Sequence, residues 1–156
     1  MTVPHVPILS PDQLPISLGT PLDGRSKTVV SDLINPHGFV VFRGYGVSSD
    51  QEFHDFIECF GLPNFTYAES FSNAVRRNRT PRVFTANEAP PEIEIFLHHE
   101  MAQTLVFPGQ LFFFCEQAPS EGGATPICRS DLALATLEKA RPDFVAKLRN
   151  LGVRYR

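Results

Sequence analysis

A surplus of positive charge is missing from this 156-residue chain: 14 lysines and arginines face 17 aspartates and glutamates, for a formal net charge of -3. Without a global positive field to gather phosphate backbones, nucleic acid is not an expected partner. Long apolar runs are missing too. The longest covers residues 111–115, far short of the roughly 20 residues that span a bilayer, so no membrane span is expected. The opening residues Met1-Thr2-Val3-Pro4-His5-Val6-Pro7 lack both the basic segment and the apolar core of a secretory leader, which points to an intracellular location. Cysteine is sparse. Cys59, Cys115 and Cys128 are odd in number, far apart and without a C-x-x-C pair, a pattern of reduced, small buried side chains rather than a disulfide framework.

What is present suits one soluble domain: 42% of residues are hydrophobic and 20% charged. Residues 1–24 carry Pro4, Pro7, Pro11, Pro15 and Pro21, too many fixed φ angles and missing donors for a helix or central strand, so they read as an extended lead-in along the surface. Val29, Val30, Leu33 and Ile34 then recur at helical spacing until Pro36-His37-Gly38. Residues 39–42, Phe-Val-Val-Phe, have the composition of a buried strand. Ser49 and Glu52 form a capping box ahead of the stripe Phe53, Phe56, Ile57 and Phe60, which Gly61 ends.

Residues 62–82 read as a long loop holding Arg76, Arg77, Arg79 and Arg82 within seven positions. Two readings stay open for it: a solvated basic turn, or a lid whose guanidiniums meet an anionic substrate. Residues 83–85, 93–101 and 111–115 read as strands, the last buried on both faces by composition. Gly122-Gly123 makes a tight turn before Thr125. Ser130 is placed to cap a helix over 131–139, and Pro142 to open a second one bearing Phe144, Leu148 and Leu151, ended by Gly152; residues 153–156 look like the start of a strand.

The chemistry concentrates at His98-His99-Glu100. In an extended segment side chains alternate, so His98 and Glu100 share a face that His99 does not. His99 is expected to pack or to bond a neighbouring backbone group. An imidazole and a carboxylate on one face are two thirds of the facial triad that holds non-heme Fe(II) and leaves positions open. H-x-E alone, without a third ligand in view, reads first as a solvated strand face.

Four blocks arrive in order: Phe84-Thr85-Ala86-Asn87-Glu88-Ala89-Pro90, Leu97-His98-His99-Glu100-Met101-Ala102-Gln103, Leu111-Phe112-Phe113-Phe114-Cys115-Glu116 and Gly122-Gly123-Ala124-Thr125-Pro126-Ile127. The series resembles the TauD/TfdA-type Fe(II)/2-oxoglutarate-dependent dioxygenases, most closely the clavaminate synthase-like, SyrP-like branch, over residues 38–156. That resemblance implies a mainly β fold with flanking helices, a double-stranded β-helix or jelly roll. It implies Fe(II) held by His98 and Glu100, 2-oxoglutarate as cosubstrate bound with help from Thr125, and Thr85 and Asn87 as candidate contacts to a small-molecule substrate. C–H hydroxylation coupled to decarboxylation of 2-oxoglutarate is the implied reaction. Glu100, being a carboxylate, speaks against halogenation. Phe112, Phe113 and Phe114 read as core, with one of them a candidate wall of the cosubstrate pocket.

The family pattern also has a distal histidine followed by an arginine that grips 2-oxoglutarate. All five histidines, His5, His37, His54, His98 and His99, lie at or before residue 99, and His54 reads as facing solvent. Neither distal group is assignable. Residues 25–156 are therefore expected to be the N-terminal part of such a domain, an incomplete jelly roll and an inactive fragment of the enzyme. The alternative is a non-catalytic jelly-roll module that binds a protein partner. Either way, an incomplete barrel is expected to expose apolar surface such as residues 111–115.

Overall fold

The computed structural model describes residues 6–65, 76–86, 88, 90 and 92–154. Among these the elements run β1 (Ile8–Leu9), α1 (Gly24–His37), β2 (Val41–Phe42), α2 (Asp50–Glu58), α3 (Ser130–Ala140) and α4 (Pro142–Leu151).

Helix α1 begins at Gly24, five residues before Val29, because Asp23 caps it. Its Oδ1 accepts from the Ser26 N–H at 2.7 Å, which satisfies one of the orphan donors of the first turn. Pro36 sits inside the last turn rather than ending it; it forfeits one backbone bond there. The stop comes at Gly38, whose φ of 81° is cheap only for glycine and whose N–H donates to the Ile34 carbonyl at 2.6 Å.

Helix α2 is the capping-box helix. The Glu52 N–H donates to Ser49 Oγ at 3.2 Å, while the Glu52 carboxylate accepts from the Ser48 N–H at 2.9 Å and the Ser48 hydroxyl at 2.7 Å. The reciprocal bond thus reaches one residue further back than the usual box. Phe56, Ile57 and Phe60 are buried, as the stripe predicts.

β1 pairs in parallel with β2, Ile8 opposite Val41 and Leu9 opposite Phe42. The proline-rich lead-in is thereby drawn inward: Leu9, Leu14 and Leu22 form one cluster with Val30, Phe56, Cys59 and Phe60. Phe42 stands at its centre, its ring meeting Tyr45, Phe56 and Phe60 edge-on at 5.7, 5.2 and 5.8 Å between centroids, the geometry that the ring quadrupole favours.

The strands expected downstream are not formed among the described residues. Residues 94–99 and 111–115 belong to no ladder, and residues 83–85 contribute only an isolated antiparallel bridge, Phe84 with Asn78. A strand needs a neighbour to satisfy its N–H and C=O groups, and among the described residues no segment pairs with these. The mainly β architecture therefore has no counterpart here beyond two two-residue strands. Residues 111–115 are also not buried on both faces. Phe112 and Phe114 pack against Phe60 and Phe53, whereas Leu111 and Phe113 are exposed, Phe113 to 77%. Alternation is intact, and the side that packs is the one turned to Phe53 and Phe60.

At the other end, Pro142 opens α4 and Gly152 closes it, with φ 72° and its N–H donating to the Leu148 carbonyl at 2.9 Å. Ser130 does not cap α3; it lies inside the helix, and Arg129 is the N-cap, making no side-chain capping bond. The predicted stripe of α4 faces outward at Phe144 and Leu151, while Val145 is buried. Residues 153 and 154 form no strand.

Candidate metal centre

The segment carrying His98 and Glu100 is anchored just beyond them. Met101 adopts φ 60°, a left-handed conformation that side chains other than glycine's seldom take, and its side chain is buried. The Thr104 N–H and hydroxyl reach the Met101 carbonyl at 3.0 and 2.8 Å. The chain therefore turns sharply after Glu100, which draws that carboxylate inward: the Glu100 side chain is 14% exposed, against 58% for His98.

His98 and Glu100 do face one another, as the alternation argument predicts. Nε2 of His98 and Oε2 of Glu100 are 4.0 Å apart. Nδ1 of His98 lies 2.6 Å from the Phe96 carbonyl. A carbonyl can only accept, so Nδ1 carries a proton, and in the neutral imidazole that leaves Nε2 as the nitrogen able to ligate. This is the ligand tautomer that a backbone carbonyl commonly fixes. His99 turns elsewhere and meets the Ser130 hydroxyl through Nε2, a side-chain partner where a backbone one was expected. That contact also engages the hydroxyl expected to cap α3.

The donor set can be tested against an iron ion. Two ligands bound at about 2.0–2.2 Å in adjacent positions stand roughly 3 Å apart, so the exposed imidazole must close on the carboxylate by about 1 Å. The residue types fit. Among the described residues no group of three His, Cys, Asp or Glu side chains is gathered for a metal, so the pair accounts for two ligands.

Glu100 has a second partner. Its Oε1 accepts from Nη2 of Arg76 at 3.1 Å. The arginine run as a whole resolves into ion pairs: Arg77 with Glu88 at 2.7 Å, Arg79 with Asp50 at 2.7 Å, and Arg82 with Glu58. The Arg77 guanidinium, donating to Glu88, holds that carboxyl below its ordinary range. Neither a freely solvated turn nor a set of unengaged guanidiniums describes these four residues; their carboxylates come from distant parts of the chain. His54 is likewise not solvent-facing. It is half-buried, with Nδ1 2.9 Å from Thr80 Oγ1 and Nε2 3.9 Å from Glu58.

Neither Thr85 nor Thr125 is hydrogen-bonded to the pair among the described residues. Thr85 is engaged with Arg77, accepting from its N–H through Oγ1 at 2.9 Å and donating its own N–H to the Arg77 carbonyl at 2.9 Å. Thr125 is exposed and shares no hydrogen bond with His98 or Glu100 among the described residues. Asn87 lies outside the described residues. Arg76 is the residue that sequence reasoning missed. Its membership of a basic run was visible, but nothing in the spacing marked it out from its neighbours.

The profile of the family described as taurine catabolism dioxygenase TauD, TfdA family matches residues 5–156. A clavaminate synthase-like protein of Arabidopsis thaliana is 39% identical over 142 residues, covering 91% of this chain and 42% of that protein. The dapdiamide synthesis protein DdaC of Enterobacter agglomerans is 28% identical over 153 residues, 97% of this chain and 44% of that protein. The chain thus spans less than half the length of these curated relatives.

Proposed function

Because the chain belongs to the TauD, TfdA family as a clavaminate synthase-like member, we propose that it contributes the first part of a non-heme Fe(II)/2-oxoglutarate-dependent dioxygenase, acting on a small-molecule substrate. One observation carries the reading: within the family-matched region, His98 Nε2 and the Glu100 carboxylate approach to 4.0 Å. These two side chains would hold the iron. When bound with 2-oxoglutarate and oxygen, that centre supplies oxidation of a substrate C–H bond coupled to decarboxylation of the cosubstrate. The protein's part is orientation. The Phe96 carbonyl fixes the tautomer of His98, and the turn at Met101 holds Glu100 in a half-dry position. Thr125 is the candidate cosubstrate contact, and Thr85 and Asn87 are candidate substrate contacts. A histidine and an arginine supplied by polypeptide outside residues 1–156 would complete the ligand set and anchor 2-oxoglutarate, so the chain alone is expected to be inactive. Among the described residues no helix is long and apolar enough to cross a membrane.

The test is anaerobic addition of Fe(II) and 2-oxoglutarate. The chain alone should give little visible absorption, and addition of a polypeptide carrying the distal histidine and arginine should bring up a band that His98→Ala abolishes. A strong His98-dependent band from the chain alone means that its ligand set is complete as it stands. Absence of any His98 dependence in either sample ends the metal reading.

A second reading, a non-catalytic module that docks a protein partner, is favoured by the apolar surface of the same region. Ile95, Phe96, Leu97, Leu105 and Phe113 are all more than half exposed, more than scattered single residues account for. It predicts capture of a partner that is unaffected by His98→Ala.

A further inference from the structure

Four arginines of the basic run each face a carboxylate, and one of those carboxylates is the candidate metal ligand. The Arg76–Glu100 pair differs from its neighbours in burial as well: the two side chains are 20% and 14% exposed. The carboxylate divides its oxygens. Oε1 takes the guanidinium at 3.1 Å, leaving Oε2 turned to His98 Nε2 at 4.0 Å.

Resting on the metal reading above, we propose that Arg76 is a positioning residue for Glu100, holding one carboxylate oxygen so that the other is presented to a divalent cation beside His98. The terminal torsion of a glutamate is broad and nearly two-fold, so an unheld carboxylate samples many planes. A guanidinium is a planar fork with a fixed charge and makes a short, charge-assisted bond to one oxygen. It also offsets the cost of keeping an ionised carboxylate half-dry. Hydrogen bonds behind metal ligands orient them, and their loss typically weakens metal binding roughly 10–100-fold. Repulsion between the guanidinium and a bound cation works in the opposite direction, so the sign of the mutational effect decides the matter.

The experiment is titration of the full 156-residue chain with cobalt(II) chloride, followed by the paramagnetic shift of the His98 ring protons, a signal that also registers weak binding. Thermal melts of each variant establish that it is folded. Arg76→Met is expected to raise the cobalt dissociation constant about tenfold, and Arg76→Lys, which keeps the charge but not the fork, to recover part of the loss. Unchanged or tighter cobalt binding in folded Arg76→Met overturns the proposal. Should Arg76→Met not fold, binding by Arg76→Lys equal to or tighter than that of the unsubstituted chain overturns it instead, and weaker binding supports it. If neither the unsubstituted chain nor its mixture with the polypeptide carrying the distal histidine and arginine gives a cobalt shift at His98, the metal reading falls and this inference with it; a shift in the mixture alone moves the same comparison of variants to the mixture.

Discussion

Phe114 stacks on Phe53, with ring centroids 5.2 Å apart and planes inclined by 29°. Two residues earlier on the same side, Phe112 meets Phe60 at 5.1 Å. These contacts pin an otherwise unpaired extended segment to the helix that anchors the core. Phe114→Ala is expected to cost about 1–2 kcal/mol, below the roughly 3–5 kcal/mol of a fully buried phenylalanine. Phe113→Ala, on the exposed side, should be near neutral. Urea unfolding of the two variants checks the contrast, and equal losses would mean that the segment is not held by one face.

The cap of α2 gives a prediction in acid. Ser49→Ala should destabilise by about 1 kcal/mol through loss of the first-turn bond. Glu52 has its carboxyl held below the ordinary range, first by the Ser48 hydroxyl and then by the Ser48 N–H. A depressed native value means that the unfolded chain takes up the proton first. The contribution is therefore present above the unfolded value and is lost as pH falls through the native one. Melting curves from pH 6 downward should show a shallower acid decline in Glu52→Gln than in the unsubstituted chain.

Tyr45 acts at the opposite end of the pH range. Its hydroxyl donates to the Leu14 carbonyl at 2.8 Å, and burial pushes its ionisation upward. The neutral phenol is the form that the fold favours, so its contribution is intact below the unfolded value near 10 and is lost as pH rises through the native value. Tyr45→Phe should cost about 1 kcal/mol at neutral pH and flatten the alkaline decline, as followed by denaturant midpoints between pH 8 and 11.

Thiol chemistry distinguishes the three cysteines. Cys59 is fully buried, with its sulfur directed at the Asp55 and Ser17 carbonyls at 3.2 and 3.4 Å, whereas Cys115 and Cys128 are exposed. A disulfide exchange reagent should titrate two thiols in the native chain and the third only on unfolding. Immediate reaction of all three would mean that the cluster around Cys59 opens readily.

The local signals were the readable ones. Ser49 with Glu52, and Pro142 with Gly152, mark helix ends through bonds made within a few residues, and both helices are present. The placement of His98 opposite Glu100 follows from backbone alternation and needs no distant partner. Segments 93–101 and 111–115 have strand composition, but a strand is made by its neighbour, which composition does not supply. The arginine run was ambiguous for the same reason: Asp50, Glu58, Glu88 and Glu100 lie 11 to 29 residues from the arginines they meet, and only folding brings each opposite its guanidinium. His54 followed suit, since Thr80 is 26 residues on. The stripe of α4 shows that periodicity tells which side is apolar, not whether anything lies against it.

The parallel pairing of residues 8–9 with 41–42 sets a limit on how the polypeptide can be trimmed. The Val41 and Arg43 amides donate to the Pro7 and Leu9 carbonyls, each at 2.9 Å, and Leu9 is part of the hydrophobic cluster. A protease cut or a relocated start codon beyond residue 9 would strip two acceptors and one side chain from the aromatic nucleus around Phe42. Recombinant versions meant to retain the folded nucleus should therefore keep Pro7 and carry their tags ahead of it.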